Sequence, residues 1–478
     1  MPSPILPGGY CASACGIAEH ACDGACIATA RVGEVCAARC ATDDDCRVDE
    51  GYVCDRQWHA CLVPNFAAVV PAAGCPSTNG RDLAFGPAET WSTANAPGLY
   101  QVGPSAVISD DGSVTAMFMA RSGNREGSAL AISRSDGAID VPFKSQRANH
   151  EAPWLARDRK GTLYAAWLGY DTHELGQEIG LARSTDRGAT WSSPVAVHDP
   201  ADCEDGERDC LGKPMLAIGD ALYVLYGTRR GGLHVRASLD GGATFSAPVT
   251  ALVGDHGTAT VGPDGTLHVV TISGSPLGAF GSAMQRIEYT ASTDHAATFA
   301  KSVAVSADEE VLPYYFANPA IAVDAKRKLV HVVYVRGGRD GRWDLVLATS
   351  KDRGATWTRT RLAGDGCAIH MAPSVALDDK TGTLHVAYYD NEGGAGRFVH
   401  ASCTPGRKAM QCVQHGAISS APFAAFSTVR HAPTWLGDYE SLVVDTKRRT
   451  LHAVWTQPVL DEGVVKSRIF HAQAPLPK

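Results

Sequence analysis

An eight-residue pattern, Ser-x-Asp-x-Gly-x-Thr-aromatic, recurs along this chain. It reads STDRGATW from Ser184, SLDGGATF from Ser238, STDHAATF from Ser292 and SKDRGATW from Ser350. A worn copy, SRSDGAID, begins at Ser133. Recurrence at this fidelity is the strongest constraint in the sequence. It means one supersecondary unit repeated, each copy burying its faces against its neighbours.

A second pattern runs in step with the first. A small or Pro residue precedes an apolar strand, then a polar turn, then a longer apolar strand. PWLARDRKGTLYAAWLG from Pro153, PAIAVDAKRKLVHVVYV from Pro319 and PSVALDDKTGTLHVAYYD from Pro373 are clear copies. Weaker copies start at Pro104, Pro214, Gly257 and Glu440, so seven starts lie 43 to 67 residues apart. Alternation and β-branched content predict strands, and the Asp-Gly and Lys-Gly turns predict hairpins. The Asp-containing pattern follows a third strand, as in IGLARSTDRGATWSSPVAV. Four short strands per unit at this period predict propeller blades. The fold class is therefore all-β, a propeller of seven blades with six as the alternative. The last unit shows three strands, ending near Arg468-Ile469-Phe470. DLAFGPAETW, Asp82 to Trp91, is expected to supply the fourth and close the ring.

The chain has 478 residues, enough for one large β-domain and a small module. Ten of the 15 cysteines fall between Cys11 and Cys75. Such density in a segment too small for an ordinary core predicts a disulfide module over residues 1–80, with the propeller over 81–478. Zinc is the rival, because Cys-x3-Cys occurs three times, but His ligands at finger spacing are missing. Cys203 with Cys210 and Cys403 with Cys412 have the spacing of local disulfides. Cys367 is left over, to join the module (for example at Cys75) or stay free. The start, MPSPILPGGYC, has neither a charged nor an apolar leader region. The cysteines decide for export, with the leader removed, to a secreted, periplasmic or cell-surface location. The net charge of −8 with no basic stripe excludes nucleic acid, and no apolar run is long enough for a membrane span. A monomer is expected.

The Ser-x-Asp-x-Gly-x-Thr-Trp pattern resembles the Asp-box, or BNR repeat, of the sialidase superfamily. That resemblance implies a sialidase-like propeller in which the boxes are peripheral hairpins. Asp186, Asp240, Asp294 and Asp352 would then be staples: the carboxylate accepts turn N–H bonds and the aromatic packs on the blade.

Chemistry is expected where first strands converge on the axis. The residues just before those strands are Tyr100 and Gln101, His150 and Glu151, Gly212 and Lys213, Asp255 and His256, Phe316 and Asn318, His370 and Met371, Asp438 and Tyr439. Three readings follow. The leading one is metal-assisted chemistry (oxidase, lyase or hydrolase) on an extracellular substrate. His150, His256 and His370 would hold copper, zinc or iron, with Tyr439, Glu151 and Asp438 catalytic nearby. The second comes from GDYESL, Gly437 to Leu442, which resembles the sialidase Tyr-Ser-x-Leu stretch and implies Tyr439 as nucleophile. The family's Arg-Ile-Pro start is absent; YQVGPS stands there, with Gln101 or Val102 in place of the Arg. The third is a non-catalytic platform for a glycan or protein. In each, Tyr100, Gln101, Lys213, Asn318, Tyr315 and Trp435 are expected to contact the small-molecule, peptide or glycan ligand.

Overall fold

The computed structural model describes residues 25–29, 33–47, 53–55, 60–62 and most of 83–477. From 83 onward, residues 84, 92–99, 122–127, 136, 138, 141–146, 172–174, 204–209, 229–231, 255–256, 274–285, 309, 311–317, 338–342, 364–369, 391–395, 421–422, 424–435, 462–463 and 478 lie outside that description. Among the described residues there is no α-helix, and no helix is long and apolar enough to cross a membrane.

Five four-stranded antiparallel sheets follow one another, each with its strands in chain order. They are sheet 1 (residues 149–196), sheet 2 (215–253), sheet 3 (257–304), sheet 4 (320–363) and sheet 5 (370–417). A closing sheet joins the two ends of this region. Tyr100–Ile108, Val114–Arg121, Ala129–Arg134 and Ile139–Asp140 form one half; Ser441–Asp445, Thr450–Asp461 and Val464–Pro475 form the other. The halves meet at one parallel pair, Ser467 with Tyr100. Glu89–Thr90, from the DLAFGPAETW stretch, pairs with Phe470 and His471 at the outer edge. Trp91 then stacks on His471, ring centroids 4.2 Å apart. The chain therefore closes on itself with the strand expected from its sequence.

The burial pattern explains why the second strands read as unbroken apolar runs. Leu163–Tyr170 is buried along its whole length, because sheets cover both of its faces. Leu168, Ile179 and Leu181 of sheet 1 pack on Leu216, Val224 and Tyr226 of sheet 2. Each such aliphatic side chain contributes about 1.5–3 kcal/mol by leaving water. Residues from the first strand of every sheet line one central cavity, which makes the architecture propeller-like.

First strands of neighbouring sheets share no backbone ladder, so hydroxyls join them. Ser105 Oγ accepts the Leu155 N–H at 2.8 Å, and Ser374 Oγ accepts the Leu442 N–H at 2.9 Å. Ser441 Oγ accepts the Ala106 N–H at 2.9 Å, and Thr258 Oγ1 donates to the Pro319 carbonyl at 2.6 Å.

The eight-residue repeats all form one turn. In the first, Gly188 N–H donates to Ser184 Oγ at 2.8 Å, Ser184 Oγ donates to Asp186 at 2.7 Å, and Thr190 N–H donates to Asp186 at 2.8 Å. The turns at Asp240, Asp294 and Asp352 repeat these bonds. The Gly place has positive φ throughout, +86° at Gly188; in the third copy Ala296 holds +63°. Each turn also docks on the preceding sheet, the second through Arg183, whose guanidinium donates to the Gly241 carbonyl. Thr115 Oγ1 donates to the Arg187 carbonyl, Tyr223 bonds His295, and Tyr289 donates to the Arg353 carbonyl. The repeats are therefore peripheral staples within and between sheets.

Disulfides link Cys203 with Cys210 and Cys403 with Cys412, as the spacings suggested. In the Cys-rich segment the described pairs are Cys40–Cys54 and Cys46–Cys61. Cys75 and Cys367 lie outside the described residues.

Candidate functional site

Proline and positive φ shape the central cavity. Gly103, Ala152 and Ala372 each precede a proline and hold φ of +63°, +50° and +49°. At each of them the first strand slips register against the second, between Val102 and Ser105, Glu151 and Trp154, Met371 and Ser374. These are bulges, and two place a strained alanine beside the cavity; non-Gly residues in such conformations cluster at functional sites.

The cavity, of about 190 Å³, is lined mainly by apolar first-strand residues. Its polar end gathers Lys213, Asn318, Asp438 and Tyr439. Lys213 Nζ lies 2.5 Å from Asp438 Oδ1, with 16% and 15% of the side chains exposed. Asn318 Nδ2 donates to the Asp438 carbonyl at 3.3 Å. Tyr439 packs edge-on against Trp154, centroids 5.2 Å apart. Its hydroxyl donates to the Pro153 carbonyl at 2.6 Å, tying the last first strand to sheet 1. Burial pushes the Tyr439 phenol well above its usual value, and the neighbouring Asp438 carboxylate adds to this. A protonated phenol engaged with a carbonyl is a poor nucleophile.

A smaller cavity opens beside the first and brings Glu151, Asp438 and Tyr439 together. Glu151 accepts from the Tyr170 hydroxyl and pairs with Arg121 at 3.3 Å, both nearly fully buried. Of the expected site residues, the structure thus unites Lys213, Asn318, Glu151, Asp438 and Tyr439. His256, Tyr315 and Trp435 lie outside the described residues.

Gln101, His150 and His370 do not line either cavity. They hold equivalent places, as the sequence comparison had it, but they lie before the bulge, where the pleat turns them between sheets. Gln101 is fully buried beside Ala120, which packs on Val454 and Ile469 of the closing sheet's other half. The His150 ring meets Trp167 edge-on, centroids 6.4 Å apart, and burial lowers its pKa. His370 Nδ1 lies 2.9 Å from the Trp343 carbonyl of sheet 4, and its ring leans on Tyr388. The two described rings face separate interfaces and neither lines the cavity. The one potential metal group among the described residues, Cys40, Cys46 and Cys61, is disulfide-bonded. Tyr100 is half-buried at the Ser467 pair and does not line the cavity.

Sequence reasoning missed Trp154 and the axial hydroxyls. A signal for the last was present: four of the seven strand starts carry Ser or Thr as their second residue, at Ser105, Thr258, Ser374 and Ser441.

No family model matches the chain, and no curated protein matches it. Solved structures similar to it include a Hadza microbial sialidase, 17% identical over 61% of this chain and 63% of that one, TM-score 0.43. An α-L-arabinofuranosidase from Fusarium graminearum is 15% identical over 82% and 97%, TM-score 0.42. A PL25 ulvan lyase is 11% identical over 79% and 94%, TM-score 0.48. At these identities and scores the likenesses carry nothing about what this chain binds.

Proposed function

We propose that this chain is an extracellular Asp-box propeller that binds an uncharged glycan at the axial mouth. The closing sheet, parted at its single Ser467–Tyr100 pair, gives two blades, and the five other sheets bring the count to seven. Residues 81–478 form the propeller and 1–80 a disulfide-stapled module. The disulfides support an oxidising compartment.

The observation that carries the ligand class is the Lys213–Asp438 pair. It offers donors and acceptors at the mouth without net charge, next to the Trp154 and Tyr439 rings. That combination suits sugar hydroxyls above and a sugar's C–H face beside them. A sugar carboxylate calls for an uncommitted guanidinium; among the described residues lining the two cavities there is no Arg, and Arg121 is engaged with Glu151. Binding of labelled protein to an oligosaccharide array, followed by calorimetry, tests this. Neutral oligosaccharides should bind and sialylated or uronate-bearing ones should not. Retention of acidic glycans alone would overturn it.

Glycoside hydrolysis is the second reading, favoured by Glu151 and Asp438 sharing the smaller cavity with Tyr439. Paired carboxylates are the usual machinery of that reaction. Release of reducing ends from a bound oligosaccharide, abolished by Glu151→Gln or Asp438→Asn, would establish it.

A further inference from the structure

Glu440 follows Tyr439 and is 6% exposed. Its carboxyl lies between two strands, Thr383–Asp390 of sheet 5 and Thr450–Asp461 of the closing sheet. Oε1 is 2.6 Å from the Tyr389 hydroxyl, and Oε2 accepts the Thr456 N–H at 2.9 Å. The Tyr389 hydroxyl is also 2.6 Å from the Thr456 carbonyl oxygen and accepts the Thr456 N–H at 3.0 Å.

Proton counting decides the state of this group. Each oxygen–oxygen contact of 2.6 Å needs a proton between its atoms. Tyr389 has one proton and two such contacts, to Glu440 and to the Thr456 carbonyl. The second proton must come from Glu440. As the acid, Glu440 Oε1–H donates to Tyr389, Tyr389 O–H donates to the Thr456 carbonyl, and Thr456 N–H returns to Glu440 Oε2. With Glu440 ionised, one contact would set bare lone pairs against each other in a buried site. Among the described residues no cation pairs with Glu440. The charged neighbours are committed elsewhere: Asp438 to Lys213 and Asp390 to Arg397. The Tyr439 phenol is engaged with Pro153. Burial also pushes the Glu440 carboxyl well above the usual range.

The same segment is pinned at its other end. Gly437 holds φ of +92°, and a Cβ there would come within 2.6 Å of the Gly103 nitrogen. Asp438 and Tyr439 therefore project into the mouth from between two fixed points.

We propose that Glu440 is held as the neutral acid and is the positioning residue of the axial mouth, its proton fixing the Asp438–Tyr439 segment and its ionisation releasing it. The consequence for ligand binding rests on the glycan reading above; the protonation itself does not.

The test is equilibrium unfolding of the full chain between about pH 6.5 and 8.5, above the ordinary titration of histidine. Glu440→Gln replaces the acid's O–H donor with an amide N–H. A folded state that keeps a proton the unfolded chain has lost is weakened as pH rises. The wild-type folding constant should therefore fall relative to Glu440→Gln by about tenfold per pH unit. A protonated-carboxyl infrared band should be present at neutral pH, lost in Glu440→Gln and shifted in Tyr389→Phe. Should Glu440→Gln not fold, the wild-type band and its shift in Tyr389→Phe decide. Parallel unfolding curves, or no such band, would overturn the assignment. For any saccharide that binds, wild-type affinity should drop over the pH range in which the band disappears, and Glu440→Gln affinity should not; equal pH dependence would refute the positioning role. A band and divergent curves without saccharide binding would sink the glycan reading and leave the protonation standing.

Discussion

Tyr439 separates the readings most sharply at the scale of single residues. Its hydroxyl is a donor to a backbone carbonyl, held protonated by burial. Tyr439→Phe should therefore cost about 1–3 kcal/mol of stability, from the Pro153 carbonyl left unsatisfied, and spare ligand binding and any turnover. Denaturant unfolding and an affinity measurement check both halves; lost turnover at unchanged stability would restore the nucleophile reading. Lys213 makes the complementary case. Lys213→Ala removes the ion pair with Asp438 and a donor at a mostly buried position, so affinity for a neutral oligosaccharide should fall at least about tenfold. In a double-mutant cycle with Asp438→Ala the two losses should not add, and additive losses would show that the pair does not act as a unit. The sequence made the places of these residues legible, because strand starts could be aligned. It did not make their directions legible. His150 and His370 align with Gln101, yet one step along a pleated strand reverses the face, and a bulge resets it.

The repeated turns can be tested at the scale of elements. Ser184 Oγ serves both Gly188 and Asp186 and is buried. Ser184→Ala should cost about 1–2 kcal/mol in unfolding experiments and leave ligand affinity unchanged. A change in affinity would place the turn in the site. The buried histidine pairs set the acid limit. His385 with His400 and His452 with His471 are stacked and hydrogen-bonded at 3.1 Å. Burial pushes His385 down to about 4 and His471 to about 3. Above about pH 6.5 these rings are neutral folded or unfolded. Below it the unfolded chain takes up protons that the folded chain refuses, so stability falls as pH drops from 6.5 toward 4. Each such ring contributes up to about 1.4 kcal/mol per pH unit in that window. Denaturation at pH 7, 6, 5 and 4.5 should show this slope, whereas a flat profile down to pH 5 would contradict it. Strands and turns were legible because their periods and turn residues recur. The bulges were not, because they depend on an alanine accepting positive φ before proline at Ala152 and Ala372, which no local preference announces.

At the scale of the whole molecule, closure and axis belong together. Glu89–Thr90 pairs with the strand Val464–Pro475, and Lys447 and Arg448 reach Asp110 across the junction. The expected closing strand was legible because the last unit lacked one. The character of the mouth was not, because it arises from residues hundreds of positions apart: Lys213 meets Asp438, and Pro153 meets Tyr439. The central claim is that this convergence recognises an uncharged sugar. Its most direct test is a crystal structure of the protein with a neutral oligosaccharide selected by the array. The sugar should lie against Trp154 and Tyr439, with hydroxyls within hydrogen-bonding distance of Lys213 and Asn318. A sugar seated elsewhere, such as in the peripheral groove beside Tyr164 and Asp240, with the axial mouth empty, would contradict it.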